Sequence, residues 1–221
     1  HFERVTWLCV DDGYEASTVD VSLKRLPGGE LDYDHPTELL WYNHLAGVSF
    51  GFPGSLGEDR RKLPHGLLGL ADQFREVGLR PALWVGLQVS KHSPIAQQHP
   101  DWFHSQEVGD HRLLDVSIPE VRQQIEHVFK TYFGSGKIEG LKLDFWSNLF
   151  EETDLKFSHP EKTAAEWREW LFAMIRSYLP EDGFFSIACT IASGAPFLAP
   201  WVDSYRFGED MRDGNWEDIK T

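Results

Sequence analysis

Three stretches place carboxylates where apolar runs end, and their spacing defines the chemistry to be explained. In Gly140-Leu141-Lys142-Leu143-Asp144-Phe145-Trp146, a lysine and an aspartate stand two residues apart inside an apolar run. A strand alternates its side chains, so Lys142 and Asp144 share one face, and Leu141, Leu143 and Phe145 take the other. A carboxylate ending a buried strand is costly to desolvate unless a partner holds it, and Lys142 is the expected partner. Arg4–Val10 (RVTWLCV) runs straight into Asp11-Asp12-Gly13-Tyr14. The two adjacent acids serve either as a turn cap before Gly13 or as acceptors for ligand hydroxyls, one binding while the other orients it. Trp201–Asp210 again ends on a carboxylate, with Arg206 four residues before Asp210. Each stretch alone is compatible with a plain ion pair or loop start; their recurrence at strand ends favours a site.

The elements that must position these residues alternate in type. Strands are expected at Arg4–Val10, Arg80–Leu87 (RPALWVGL), Leu113–Val116, Gly140–Phe145, Phe184–Cys189 and Trp201–Asp210. Leu67, Leu70, Ala71, Phe74 and Val77 recur at helical spacing, with Gly78 where a C-cap belongs. Ser117-Ile118-Pro119-Glu120 reads as a capping box ahead of a helix that buries Val121, Ile125, Val128 and Phe129. Ser158-His159-Pro160-Glu161 repeats that pattern before Trp167, Trp170, Leu171, Met174 and Tyr178. Between residues 15 and 61 periodicity is lost among turn signals, with a short helix expected over Thr37–Ala46. So long a connection inside one domain is usually functional, a lid or a binding wall.

The alternation predicts an α/β fold, either a (β/α) TIM-type barrel or a doubly wound sheet. No GxGxxG or phosphate-binding loop appears, and polar strand ends on the first, fourth and sixth strands suit a barrel rim. Six strands are recognisable in the sequence, against the eight of a closed barrel. The expectation is therefore one incomplete catalytic barrel domain over residues 1–221, a fragment with a long inserted connection.

Composition narrows the partners. A formal charge of -14 would repel nucleic-acid phosphates, and no apolar run is long enough to span a membrane. Two cysteines, Cys9 and Cys189, make no disulfide framework. Nine tryptophans suit both core packing and stacking on sugar rings. His99 has no second histidine or acid at ligand spacing, so a structural role is expected over metal binding. The compartment is not readable; no signal peptide is visible, and a native start would imply the cytoplasm, although the abrupt His1 fits removal of an upstream segment.

In order, the motifs are a strand ending Asp-Asp-Gly, a Leu-Trp strand, His-Pro-Asp-Trp, and Leu-Asp-Val-Ser-x-Pro-Glu-Val. Lys-x-Asp-Phe, a cysteine-bearing strand and Arg-x-Gly-x-Asp follow. This series resembles the catalytic barrel of the α-galactosidases (melibiases) of glycoside hydrolase family 36, from about Val5 to Trp216. The resemblance implies a retaining hydrolase of terminal α-linked galactose, with Asp144 as nucleophile and Asp210 as acid/base. It also implies that Asp11 and Asp12 bind the hydroxyls on carbons four and six. Trp84, Lys142, Trp146, Cys189 and Arg206 would contribute to the sugar subsite. Neither metal nor organic cofactor is required, and the expected partner is an oligosaccharide or α-galactoside. Leu87-Gln88 replaces the usual Pro-Phe, and the stretch after Cys189 is longer than Cys-Gly-x-Pro, leaving Cys189 or Ser193 in the cysteine's place. The family's seventh and eighth strands and flanking β-domains are not recognisable. Alternatives are an α-N-acetylgalactosaminidase, a galactosyl transferase of the same family, or a truncated, inactive carbohydrate-binding barrel.

Overall fold

The computed structural model describes residues 6–11, 63–87, 89–90, 94–108, 111–146, 148–151, 155–188 and 198–206. The long connection and its expected helix over Thr37–Ala46 lie outside the described residues. In chain order the elements are β1 (Trp7–Val10), α1 (Gly66–Glu76), β2 (Arg80–Gly86), β3 (Val89–Ser90) and α2 (Pro94–Gln98). A 3-10 turn (Pro100–Trp102) leads to β4 (Phe103–Val108), β5 (His111–Leu114), α3 (Pro119–Tyr132) and β6 (Gly140–Asp144). The last elements are α4 (Asn148–Glu151), α5 (Ala164–Tyr178), β7 (Phe184–Ile187) and β8 (Ser204–Tyr205).

Five strands form one parallel sheet in the order β1-β2-β6-β7-β8. Once β3 to β5 are set aside, every sheet neighbour is also the next strand in the chain. A doubly wound sheet reverses its order at a switch point; this sheet does not, which is how the wall of a barrel runs. Among the described residues the sheet is not closed.

The expected third strand is displaced. It forms as β5 at His111–Leu114 and joins a separate antiparallel sheet, β3-β5-β4. Only Gly109 and Asp110 separate it from β4, and so short a link allows only antiparallel pairing. Gly-Asp is itself a hairpin signal, one that the strand–helix alternation obscured.

The two faces of the parallel sheet differ. Leu83, Val85, Leu141, Leu143, Phe185 and Ile187 are fully buried, on the side where Phe172 of α5 stacks on Phe185 at 5.5 Å. Each such side chain contributes roughly 1.5–3 kcal/mol by leaving water. At the amino-terminal end of the other face, Trp7 packs against Phe184. Gly140 makes room for it, because a Cβ there would come within 2.9 Å of the Trp7 ring. Arg80 ties this end together, lying over Trp7 and pairing with Glu139 and Asp182.

Val121, Ile125, Val128 and Phe129 form the buried stripe of α3 as expected. Gly78, at φ +80°, follows the end of α1. Val77, assigned to the buried stripe of α1, is instead 73% exposed at its C-cap.

The two expected capping boxes do not form where the sequence places them. Asp115, 1% exposed, accepts from the Ser117 hydroxyl at 2.6 Å, the Ser117 amide at 2.9 Å and the Ser158 amide at 2.7 Å. The Ser117 hydroxyl in turn accepts from the His159 amide. That buried carboxylate takes the Ser117 hydroxyl away from α3, whose N-cap is Ile118 without a side-chain bond. The reciprocal box of α5 forms at Thr163 and Glu166 instead.

Candidate functional site

Strand register sets the site. Trp84 is level with Lys142, Lys142 with Ser186, and Ser186 with Ser204. Val10 is level with Leu83, so Asp11, the next residue, comes level with Trp84. One row of polar side chains therefore crosses the sheet near its carboxyl edge. One pleat further out, Asp144 is level with Gly86, and Arg206 donates its backbone N–H to Ile187 beside β7. A parallel α/β sheet places its ligands at this edge.

Asp144 is 7% exposed. Its Oδ2 accepts from the Trp84 indole N–H at 3.2 Å, and its Oδ1 from the backbone N–H of Phe145 at 2.9 Å. The expected hydrogen bond from Lys142 is absent from this set. Lys142 reaches across β2 to pair with Asp11, Nζ to Oδ2 at 2.7 Å. Two residues along a strand separate side chains by almost 7 Å at ~3.3 Å per residue, whereas a long lysine arm can span a neighbouring strand. Burial works against the Lys142 ammonium. The bond to Asp11 and the charges of Asp11, Asp144 and Cys9 outweigh it and raise its pKa. The lysine thus stays a cation shared electrostatically between two acids.

Cys9 lies one pleat below Asp11 on the same face. Although the residue is exposed, desolvation of its thiol, followed by the Asp11 charge and opposed by Lys142, pushes its pKa to about 11.

Trp146 is not at the site. It is fully buried, bonded through its indole N–H to the Ala188 carbonyl and packed edge-on against Phe172 at 5.2 Å. Simple alternation would put Trp146 on the face of Asp144. Phe145, at φ +50°, breaks the strand in a left-handed conformation and sends the next side chain into the core. Asp12, Cys189, Ser193 and Asp210 lie outside the described residues. Of the expected residues, the structure therefore gathers Asp11, Trp84, Lys142 and Asp144, with Arg206 along the same edge. The Trp84–Asp144 bond and the Phe145 conformation have no signature in the sequence.

Among the described residues, no group of three or more His, Cys, Asp or Glu could hold a metal ion. His99 stacks on Trp102 at 4.1 Å, a structural contact. No helix among the described residues is long and apolar enough to cross a membrane. A cavity of about 360 Å³ lies between α5 and residues 198–201, and none of the site residues lines it.

The family model for melibiase matches residues 53–177, more than half of the chain. The chain belongs to the melibiase family. The matched stretch carries Trp84, Lys142 and Asp144 but neither Asp11 nor Arg206. The α-galactosidase AgaA of Geobacillus stearothermophilus is 36% identical over 107 residues, 44% of this melibiase-family chain and 15% of AgaA. An α-galactosidase of Escherichia coli is 26% identical over 141 residues, 59% of the chain and 19% of that enzyme. Among solved structures, an AgaA variant in complex with 1-deoxygalactonojirimycin superposes with a TM-score of 0.52 at 25% identity. That match covers 83% of the chain and 23% of the AgaA structure. AgaB from the same organism, at 22% identity and a TM-score of 0.52, shares the fold. The chain spans less than a quarter of the length of these relatives.

Proposed function

We propose that this chain is part of a (β/α) barrel glycoside hydrolase that removes terminal α-linked galactose from oligosaccharides with retention of configuration. The observation that carries the reading is Asp144. It is a nearly buried carboxylate at the carboxyl edge of a parallel sheet, fixed by an N–H donor on each oxygen, beside the Lys142–Asp11 pair. Its place in the stretch shared with the melibiases supports the same reading.

In the first step an Asp144 oxygen attacks the anomeric carbon, and the glycosidic C–O bond breaks. Asp210 gives its proton to the leaving oxygen. In the second step Asp210 takes a proton from water, whose oxygen attacks the same carbon and releases Asp144 as a carboxylate. Such a pair works at a carboxyl separation of about 5–5.5 Å. Loss of the Asp144 charge in the intermediate lowers the Asp210 pKa and converts it from acid to base. Asp11 and Asp12 accept from sugar hydroxyls, Lys142 and Arg206 donate to them, and Trp84 walls the subsite. Nothing in these two steps calls for a cofactor.

Asp144→Asn is expected to lower turnover of an aryl α-galactoside by at least a thousandfold while galactose still binds. Asp144→Gly with added azide should yield β-galactosyl azide, because a small anion then attacks once from the vacated face. Turnover persisting in both variants would refute the assignment. A panel of aryl α-glycosides separates galactose from N-acetylgalactosamine, and product analysis separates hydrolysis from transfer. Galactose binding without turnover in the unaltered chain would make it a binding barrel.

A further inference from the structure

We infer that Gly86 is a positioning residue for the nucleophile, acting through Trp84; the inference rests on the reading of Asp144 given above. Gly86 is level with Asp144 on the neighbouring strand, and the Trp84 ring occupies the space that its side chain would fill. A Cβ at position 86 would lie 2.6 Å from Cη2, 3.1 Å from Cζ2 and 3.2 Å from Cζ3 of that ring. Only glycine lets the indole fold forward over the strand end, and only in that pose does its N–H meet Asp144 Oδ2 at 3.2 Å.

The other side of the indole is also set. Phe145 presents its ring edge to Trp84, with centroids 6.4 Å apart and planes at 80°. The backbone N–H of Phe145, a residue at φ +50°, meets the other Asp144 oxygen at 2.9 Å. Gly86 beneath and Phe145 beside thus define one orientation of the indole, and through it one orientation of the carboxylate.

The test uses the clash itself. The atoms that Gly86→Ala strikes are the far end of the Trp84 ring, so the ring can swing aside at little cost to the fold while its N–H leaves Asp144. Losing one donor to a charged acceptor corresponds to about a 10–100-fold fall in kcat/KM. Because the donor orients the attacking oxygen, the fall should lie in kcat, with KM moving less than about threefold. The charged and titratable groups sharing this face, Lys142, Asp11, Cys9 and Arg206, are unaltered. Trp84→Phe removes the N–H and the distal ring atoms together. It should reproduce the fall in kcat, and Gly86→Ala added to it should cost less than threefold more, a non-additivity that a general packing defect would not give.

If Gly86→Ala leaves kcat and kcat/KM within twofold of the unaltered chain while Asp144→Asn is inactive, this inference fails and the nucleophile assignment stands. A rise in KM with kcat unmoved would make Trp84 a sugar contact only, and would also overturn it. If Asp144→Asn keeps its activity, the underlying reading fails first.

Discussion

Asp115 offers the sharpest test of how the segments leading into α3 and α5 are held. Its buried carboxylate ties the turn after β5 to the segment beyond α4 through Ser117 and Ser158. Burial pushes its pKa up, but the Ser117 hydroxyl and the donors of Ser158 and the Ser117 amide outweigh this and hold it below the ordinary aspartate value. Asp115→Asn keeps the shape and the Ser117 bonds but turns an NH2 group toward the Ser158 N–H, which loses its carboxylate acceptor. The lost charge-assisted bond amounts to about 1.5–3 kcal/mol at neutral pH. This is a large share of a typical stability of roughly 5–15 kcal/mol. The sign with pH is fixed by the direction of the shift. A carboxyl whose pKa is lowered by folding stabilises fully above its unfolded value of about 3.9, and the contribution fades as pH falls through the folded value. The gap between the parent and Asp115→Asn should therefore be widest near pH 7 and narrow below about pH 4. Urea unfolding followed by tryptophan fluorescence at both pH values reads it directly. A gap under about 1 kcal/mol at pH 7, or one that does not change with pH, would refute the reasoning.

Two further outcomes follow from the site. Lys142→Met removes a partly exposed pair with Asp11, so urea stability should move by less than about 1 kcal/mol. Turnover of an aryl α-galactoside should fall by at least tenfold; unchanged turnover would remove Lys142 from the sugar subsite. Cys9 is accessible, but with its pKa near 11 it carries little thiolate. Its alkylation by iodoacetamide at pH 8, followed by peptide mapping, should run more than about tenfold slower than that of a free thiol of pKa ~8.5. A free-thiol rate at Cys9 would contradict the electrostatics described for this face.

Much of the framework was legible because it is local. The apolar runs of β1, β2, β6 and β7 and the stripe of α3 depend on residues a few positions apart; β2, β6 and β7 lie within two residues of their expected spans, and β1 covers the last four residues of its own. The placement of Lys142 and Asp144 on one face, and of both near a carboxyl edge, follows from strand alternation and chain direction alone. The Gly109-Asp110 signal is equally local, yet β5 taken alone looks like one more strand of the alternating series.

The remainder depended on groups brought together from distant parts of the chain. Ser117 and Ser158 both begin sequences that favour capping, yet Asp115 draws the hydroxyl of one and the amide of the other because its buried charge needs donors more than the helix ends do. Lys142 pairs with Asp11, across β2, because register sets that adjacency and sequence distance does not. Two tryptophans show the division most directly. The strand pattern determines that Lys142 and Asp144 stand on one face, and strand register brings Trp84 to it. Whether Trp146 joins them was decided by a single left-handed dihedral at Phe145, a choice that only the packed neighbours of that residue can stabilise.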